Sequence, residues 1–188
     1  MTPKVRISRD QIISAAIEIV RADGESALNA RTIAARLGCS TQPLFSNFAS
    51  MDELHQAVIA AAVALYSEYI TREVASGQYP PYKASGMAYI RFAREEKELF
   101  KLLYMRSRSK ESDSPESGLF GEMMGLVQEN TGVDAERAKL FHLEMWAYVH
   151  GIAAMIATGY LELEWELISR MLTDAYQSMK KHYEQEDA

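Results

Sequence analysis

Residues 29–48 have the sequence Asn-Ala-Arg-Thr-Ile-Ala-Ala-Arg-Leu-Gly-Cys-Ser-Thr-Gln-Pro-Leu-Phe-Ser-Asn-Phe. Asn29 can cap a first short helix, and Gly38 can take the left-handed conformation that ends it sharply. Three residues later a second helix begins, with Pro43 in its first turn, where the missing N–H costs no helical hydrogen bond. Two short helices joined by a turn that contains glycine predict a helix-turn-helix.

Helical patterns extend from this stretch in both directions. Ser8 and Gln11 match a capping box before a helix that ends at Gly24, and Ser50 and Glu53 match another capping box before a long helix. Strand signals are nearly absent, so the sequence predicts an all-α fold. The later helices are predicted over residues 50–74, 82–105, 119–129, 134–158 and 162–182.

Charge is distributed unevenly along the chain. The formal net charge is −6, yet residues 1–50 sum to +2 and residues 51–188 sum to −8. Phosphate contacts supply much of the affinity in nucleic-acid complexes, so the N-terminal segment is the candidate DNA-binding end. The charge by itself is a weak signal, because an ordinary solvated surface often has this excess.

The second helix of the pair supplies the candidate base-reading residues. In a helix-turn-helix, the N-terminal end of that helix presents side chains to base edges in the major groove. Gln42 can form a bidentate pair with adenine, while Pro43 and the Thr41 methyl group can contact thymine methyl groups. Leu44 and Phe48 are expected to point inward. Spacing alone leaves open an ordinary helical hairpin whose polar residues are solvated.

Residues 8–60 as a whole resemble the DNA-binding domain of the tetracycline-repressor (TetR) family of transcriptional regulators. The matching residues are Ile12-Ile-x-Ala-Ala16, Gly24, Thr32-Ile-Ala-x-x-Leu-Gly38, Ser40, Leu44-Phe-x-x-Phe48 and Leu54. The candidate DNA-binding residues are Lys4, Arg6, Arg31, Thr32, Ser40, Thr41, Gln42, Pro43, Phe45, Ser46 and Asn47.

The resemblance implies a complete architecture. A three-helix helix-turn-helix domain, residues 1–50, is joined by a long helix to a helical ligand-binding and dimerisation domain, residues 51–188. A homodimer of this kind binds an inverted-repeat operator in double-stranded DNA as a repressor and releases it when a small molecule binds. We expect no metal or cofactor, no membrane partner, no enzyme activity and a cytoplasmic location. The alternative is a helical ligand-carrier or interaction protein that no longer binds DNA.

Three residues depart from the family pattern at positions that commonly contact phosphates. The family usually has Tyr at Phe45, His at Asn47 and Lys at Met51. Two of these changes remove a donor or a charge, so we expect fewer phosphate contacts and a shallower salt dependence of binding. A basic arm that includes Lys4, Arg6 and Arg9 is expected to compensate by reaching phosphates or the minor groove. A solvated terminus is the alternative.

Two features mark the C-terminal region. The last predicted helix has an apolar seam, which either pairs with a copy of the chain or packs against its own subunit. The seam consists of Leu161, Trp165, Ile168, Leu172, Ala175 and Met179. The second feature is Trp146-x-x-x-His150-Gly151, which, with Arg91-Phe-Ala-Arg94 and Glu98-Leu-Phe100, resembles a TetR subgroup that has a Trp-His-Gly motif.

A ligand pocket is expected near this motif, because methionine and aromatic side chains suit adaptable apolar binding. Each candidate residue is also explained by core packing. The candidates are Met87, Phe92, Leu103, Met123, Phe141, Met145, Trp146, Tyr148, His150 and Met155. His142 and His150 are eight residues apart, too far for adjacent metal ligands on one helix.

Overall fold

The computed structural model describes residues 7–106 and 117–185. Within these residues the chain is helical and has no strand, so the predicted all-α fold is confirmed. The α-helices in the described residues are α1 (Arg9–Asp23), α2 (Ala30–Arg36), α3 (Gln42–Asn47), α4 (Met51–Ala75), α5 (Pro81–Glu95), α6 (Lys97–Tyr104), α7 (Ser117–Thr131), α8 (Ala135–Ala157) and α9 (Trp165–Gln185).

The described residues form two compact units. The first comprises residues 7–65 and 96–106, and the second comprises residues 66–95 and 117–185. The N-terminal part of α4 lies in the first unit and its C-terminal part lies in the second. The first unit therefore extends beyond the predicted helix-turn-helix domain and also includes α6.

The first unit is built on α1, which packs against α2, α3 and α6. Ile12, Ala16 and Val20 lie on one side of α1 and are fully buried. The predicted capping box is confirmed. The Gln11 N–H donates to Ser8 Oγ over 3.2 Å, and the Ser8 N–H donates to Gln11 Oε1 over 2.9 Å.

Helices α2 and α3 form where the sequence predicts them. Asn29 Oδ1 accepts hydrogen bonds at 3.0 and 3.1 Å from the backbone N–H groups two and three residues later. Gly38 has a φ of 63°, in the left-handed region. α3 begins at Gln42, so Pro43 lies in its first turn as predicted.

The predicted continuous helix over residues 82–105 is wrong. The structure has two helices there, α5 and α6, separated at Glu96, whose backbone angles are φ −119° and ψ 51°. The Glu96 carboxylate accepts hydrogen bonds from Arg21 Nε and Nη2 at 2.8 and 2.7 Å, which joins α1 to the start of α6. Neither glycine nor proline occurs at the break, so no local signal marks it.

Helix α8 is the central helix of the second unit. It packs against α5, α7 and α9, and its buried residues include Phe141, Met145 and Ile152. In the part of the chain that the structure describes, it is the one helix long and apolar enough to cross a membrane. Its packing against three other helices is that of a protein core helix.

The apolar seam of α9 packs against its own chain at its centre. Ile168 exposes 0% of its surface and Leu172 exposes 2%. A Cβ added to Gly86 on α5 would lie 3.1 Å from Leu172 Cδ2, so the two helices approach closely there. The expectation that this seam pairs with a copy is wrong for Ile168 and Leu172, and the alternative of burial against the same subunit holds.

Candidate functional site

Helix α3 has one buried side and one solvated side. Leu44 and Phe48 expose 1% and 2% of their surfaces, which confirms their predicted inward orientation. Gln42, Phe45 and Ser46 are exposed on the other side, and Phe45 exposes 52%. Because residues three and four apart are neighbours on a helix, these three side chains form a continuous surface, which we call the α3 face.

Several hydrogen-bond donors at the α3 face are engaged within the protein. The Ser46 hydroxyl donates to the Gln42 carbonyl at 2.9 Å. The Asn47 side-chain amide donates to the Pro43 carbonyl at 2.8 Å and to the Ile7 carbonyl at 3.3 Å. Asn47 therefore ties α3 to the segment before α1, and its amide hydrogens are not offered to DNA.

The other predicted DNA-binding residues differ in their surroundings. Arg31 and Ser40 are exposed, and Thr41 is half-buried. Thr32 caps α2: its hydroxyl donates to the Ala27 carbonyl at 2.7 Å and accepts from a backbone N–H at 3.2 Å. Two of the predicted DNA-binding residues, Lys4 and Arg6, lie outside the described part of the chain.

Arg9 holds three segments of the first unit together. Its Nη1 donates to the Asn47 carbonyl at 2.8 Å and to Glu53 Oε1 at 2.9 Å. Its guanidinium carbon lies 4.1 Å from the centre of the Phe48 ring. A phosphate contact by Arg9, which the sequence pattern predicts, would compete with all three contacts. The spacing of these residues in the sequence gives no sign of this role.

The start of α4 is closed by a second cap. The Glu53 N–H donates to Ser50 Oγ at 3.1 Å, and the Glu53 carboxylate accepts from the Ala49 N–H at 2.7 Å. The hydrogen bond from Ala49 and the neighbouring Arg9 guanidinium lower the pKa of Glu53. Met51, where the family pattern has a cation, is half-buried beside this cap.

The predicted effector-binding residues do not form one group. Four are buried in the second unit, three are half-buried there, two are exposed there, and one is buried in the first unit. The four buried in the second unit are Met87, Phe92, Phe141 and Met145, and the three half-buried there are Met123, His150 and Met155. The two exposed residues are Trp146 and Tyr148, and the residue buried in the first unit is Leu103. The exposure of Trp146 and Tyr148, 42% and 36%, fits a surface position better than an internal pocket.

Two Tyr–His hydrogen bonds join α5 and α8. The Tyr82 hydroxyl lies 3.0 Å from His142 Nδ1, and the Tyr89 hydroxyl lies 2.9 Å from His150 Nδ1. Burial lowers the pKa of both histidines, so both rings are neutral at neutral pH. The Trp146 ring stacks on His150 with centroids 5.1 Å apart. His150 thus has a structural partner, and the sequence pattern did not identify either tyrosine.

An ion-pair network joins α4, α5 and α9 in the second unit. Arg91 Nε donates to Glu73 Oε2 at 3.0 Å, and the Glu73 side chain is only 7% exposed. The Arg91 guanidinium carbon lies 4.2 Å from the centre of the Trp165 ring. Its Nη1 is 3.8 Å from Glu95, which also accepts a hydrogen bond from the Tyr69 hydroxyl at 2.9 Å. The sequence did not predict this network.

Residues 7–106 and 117–185 contain no candidate metal centre. No three His, Cys, Asp or Glu side chains in these ranges lie close enough together to hold an ion.

Residues 82–176 match a family model described as tetracyclin repressor-like, C-terminal domain. This match covers half of the chain and lies outside the helix-turn-helix on which the resemblance in sequence rests. No curated protein matches the chain. The subgroup with the Trp-His-Gly motif stays a prediction.

Solved structures with the same fold include several regulators. A TetR-like transcriptional regulator from Rhodococcus sp. RHA1 is 19% identical, with a TM-score of 0.69 over 90% of this chain and 93% of that chain. A TetR family member from Streptomyces coelicolor A3, SCO1917, is 18% identical, with a TM-score of 0.60 over 89% and 96%. The multidrug binding protein EbrR, complexed with imidazole, is 19% identical, with a TM-score of 0.57 over 89% and 93%. At these identities the likeness shows the fold alone.

Proposed function

We propose a mechanism from one premise: this chain belongs to the tetracycline-repressor family of ligand-responsive transcriptional regulators. A homodimer binds an inverted-repeat operator in double-stranded DNA through α2 and α3 and represses transcription in the cytoplasm. A small apolar or amphipathic molecule binds the second unit and releases the operator. The protein acts by binding and not as an enzyme.

The observation that carries the proposal is the α3 face. A helix held on one side by Leu44 and Phe48 has an amide and an aromatic ring exposed on the other side. α2 precedes it with a capped N-terminus, and the turn between them contains Gly38 at positive φ. This arrangement supports insertion of α3 into the major groove.

The proposed dimer contact is an apolar stripe on α8. Leu140 and Leu143 expose 52% and 40% of their surfaces, and Ala147 and Gly151 continue the stripe at helical spacing. Outside the adjoining residues and backbone of α8 itself, no described atom lies within 4 Å of a Cβ added at Gly151, so a second helix has room to approach there. A two-fold contact needs such a self-complementary surface, and reading an inverted repeat needs two copies of α3.

The oligomeric state tests this contact. Leu143→Glu places a charge in the stripe, and we expect it to convert the dimer to a monomer in analytical ultracentrifugation. Gln128→Glu on α7, an exposed position that is not part of the stripe, is the matched control and should leave the dimer intact. A dimeric Leu143→Glu protein would place the contact elsewhere.

The proposed route from effector to DNA is α4, because this helix contributes residues to both units. At its C-terminal end, the Glu73–Arg91 ion pair fixes it to α5, and Trp165 on α9 packs against the same guanidinium. A ligand that alters the second unit would thus move α4, and a coupling of about 1–3 kcal/mol suffices for regulation.

Selection of binding sites from a random duplex library tests the function. The wild-type protein should enrich an inverted repeat whose half-sites are centred about one helical turn, or a multiple of it, apart. Gln42→Ala should abolish or change the enriched sequence, whereas Gln78→Ala, an exposed residue in the second unit, should not. Enrichment of no sequence by a folded dimer would reject the DNA-binding function.

A helical ligand carrier is the second candidate function, and one observation favours it. Asn47 uses both amide hydrogens within the protein, and Phe45 and Met51 lack the polar groups found at these positions in the family. A protein that enriches no duplex but binds apolar dyes or fatty acids stoichiometrically in the second unit would support this alternative.

A further inference from the structure

The α3 face lacks the side chains that read guanine. Guanine is most often recognised by a bidentate Arg or Lys, and residues 42–47 contain neither. The hydroxyl hydrogen of Ser46 and both amide hydrogens of Asn47 are donated to backbone carbonyls. The Gln42 amide and the Phe45 ring are therefore the groups on this helix best placed to contact bases.

These two side chains are three residues apart on one helical turn. Neighbours at this spacing have Cβ atoms about 5–6 Å apart. Base pairs stack at about 3.4 Å, so the two side chains can contact the same base pair or adjacent base pairs.

The backbone that carries them is held firmly. Leu44 and Phe48 anchor the inner side of α3. The Asn47 carbonyl accepts from Arg9 at 2.8 Å, and the Asn47 amide donates to Ile7 at 3.3 Å. Phe45 is thus fixed in an exposed position by contacts that its own ring does not make.

We propose that Gln42 and Phe45 together read an A·T step in each operator half-site. The Gln42 amide donates to adenine N7 and accepts from adenine N6, and the Phe45 ring packs against the 5-methyl group of thymine. Phe45 thus determines sequence specificity through an apolar contact. The inference rests on the proposed function, because it requires α3 to lie in the major groove.

Removal of single methyl groups from the operator tests the role of Phe45. With the selected duplex and the full-length protein, each thymine in both half-sites is replaced in turn by deoxyuridine, and affinity is measured by fluorescence anisotropy. We expect about a fourfold loss of affinity for each methyl group removed at one thymine position of the half-site, the effect of burying one methyl group. Phe45→Ala should bind the unmodified operator more weakly and should lose no further affinity when that thymine is replaced. Phe45→Leu should still lose part of the affinity when that thymine is replaced.

Replacement of adenine by 7-deazaadenine tests the role of Gln42 in the same way. This base lacks the N7 acceptor but still pairs with thymine. The wild-type protein should lose affinity at one adenine next to or opposite the methyl-sensitive thymine, and Gln42→Ala should not respond to the substitution. Both variants change exposed side chains, so their thermal unfolding should match that of the wild type.

The results separate this inference from the proposed function. Enrichment of no duplex would reject the DNA-binding function together with the inference. An enriched inverted repeat whose affinity is unchanged by every deoxyuridine would reject only the Phe45 contact. A methyl effect of equal size in wild type and Phe45→Ala would assign the methyl contact to another residue. A selected half-site made only of G·C pairs would also overturn the A·T proposal.

Discussion

The two units use their polar side chains differently. In the first unit several of these groups cap helix ends close by in the sequence, such as Ser8, Asn29 and Glu53, although Arg9 and Arg21 also join distant segments. The α3 face stays solvated. In the second unit, polar groups connect helices that are far apart in sequence, as in the pairs Tyr82–His142 and Tyr89–His150.

This difference suits two different tasks. A surface that contacts DNA needs side chains whose hydrogen-bonding groups are available, on a backbone that does not move. A unit that responds to a ligand needs hydrogen bonds and ion pairs between helices that a ligand can shift. α4 contributes residues to both units, and in the proposed mechanism it carries a change from one unit to the other.

The largest effect is expected from Arg91→Met, which breaks the ion-pair network of the second unit. It leaves the buried Glu73 carboxylate without its charged donor and should lower the free energy of unfolding by about 2–3 kcal/mol in urea denaturation. The double variant with Glu73→Gln should recover part of the loss, because no buried charge then stays unpaired. If the single variant Arg91→Met and the double variant are equally stable, Glu73 is well solvated without Arg91.

A smaller effect is expected from Arg9→Met in the first unit. Arg9 joins the Asn47 carbonyl, Glu53 and the Phe48 ring, so we expect a loss of about 1 kcal/mol by the same assay. Arg36→Met is the matched control, because Arg36 makes a single exposed ion pair with Glu18. Such pairs contribute about 0–1 kcal/mol. If Arg9→Met loses no more free energy of unfolding than Arg36→Met, the structural role of Arg9 is contradicted.

The Tyr–His pairs predict a pH dependence of stability. The pKa values of His142 and His150 are lowered in the folded protein, so the unfolded chain takes up protons at higher pH than the folded chain. The stabilisation is complete above the unfolded pKa of about 6.5 and is lost as the pH falls through the folded pKa values. The double variant His142→Asn, His150→Asn should show a shallower decline of stability as the pH falls below about 6.5. If the stability of the wild type and that of the double variant fall in parallel with pH, these histidines are not the cause of the decline.

The smallest effect is expected from Met51→Lys. A lysine there should add one phosphate contact and steepen the slope of log K against log salt by about one unit. The comparison uses the selected operator at several salt concentrations. The stability of the free protein serves as the control and should change little, because Met51 is only half-buried. A slope equal to that of the wild type would show that this side chain is not next to the DNA backbone.

Local sequence patterns predict the helix-turn-helix of the first unit and the caps of its helices. The caps at Ser8 and Asn29, the turn at Gly38 and the inward positions of Leu44 and Phe48 were all predicted from local patterns and are confirmed. These features are readable because a cap or a tight turn depends on residues within three or four positions of each other.

Packing between distant parts of the chain sets the break at Glu96, the inward packing of Ile168 and Leu172, and the partners of His150 and Arg91. The Glu96 pair joins residues 75 positions apart, and the Tyr89–His150 pair joins residues 61 apart. A periodic apolar seam specifies that a helix is buried but not which helix covers it. Contacts at such separations depend on how helices pack, and local sequence patterns do not encode this.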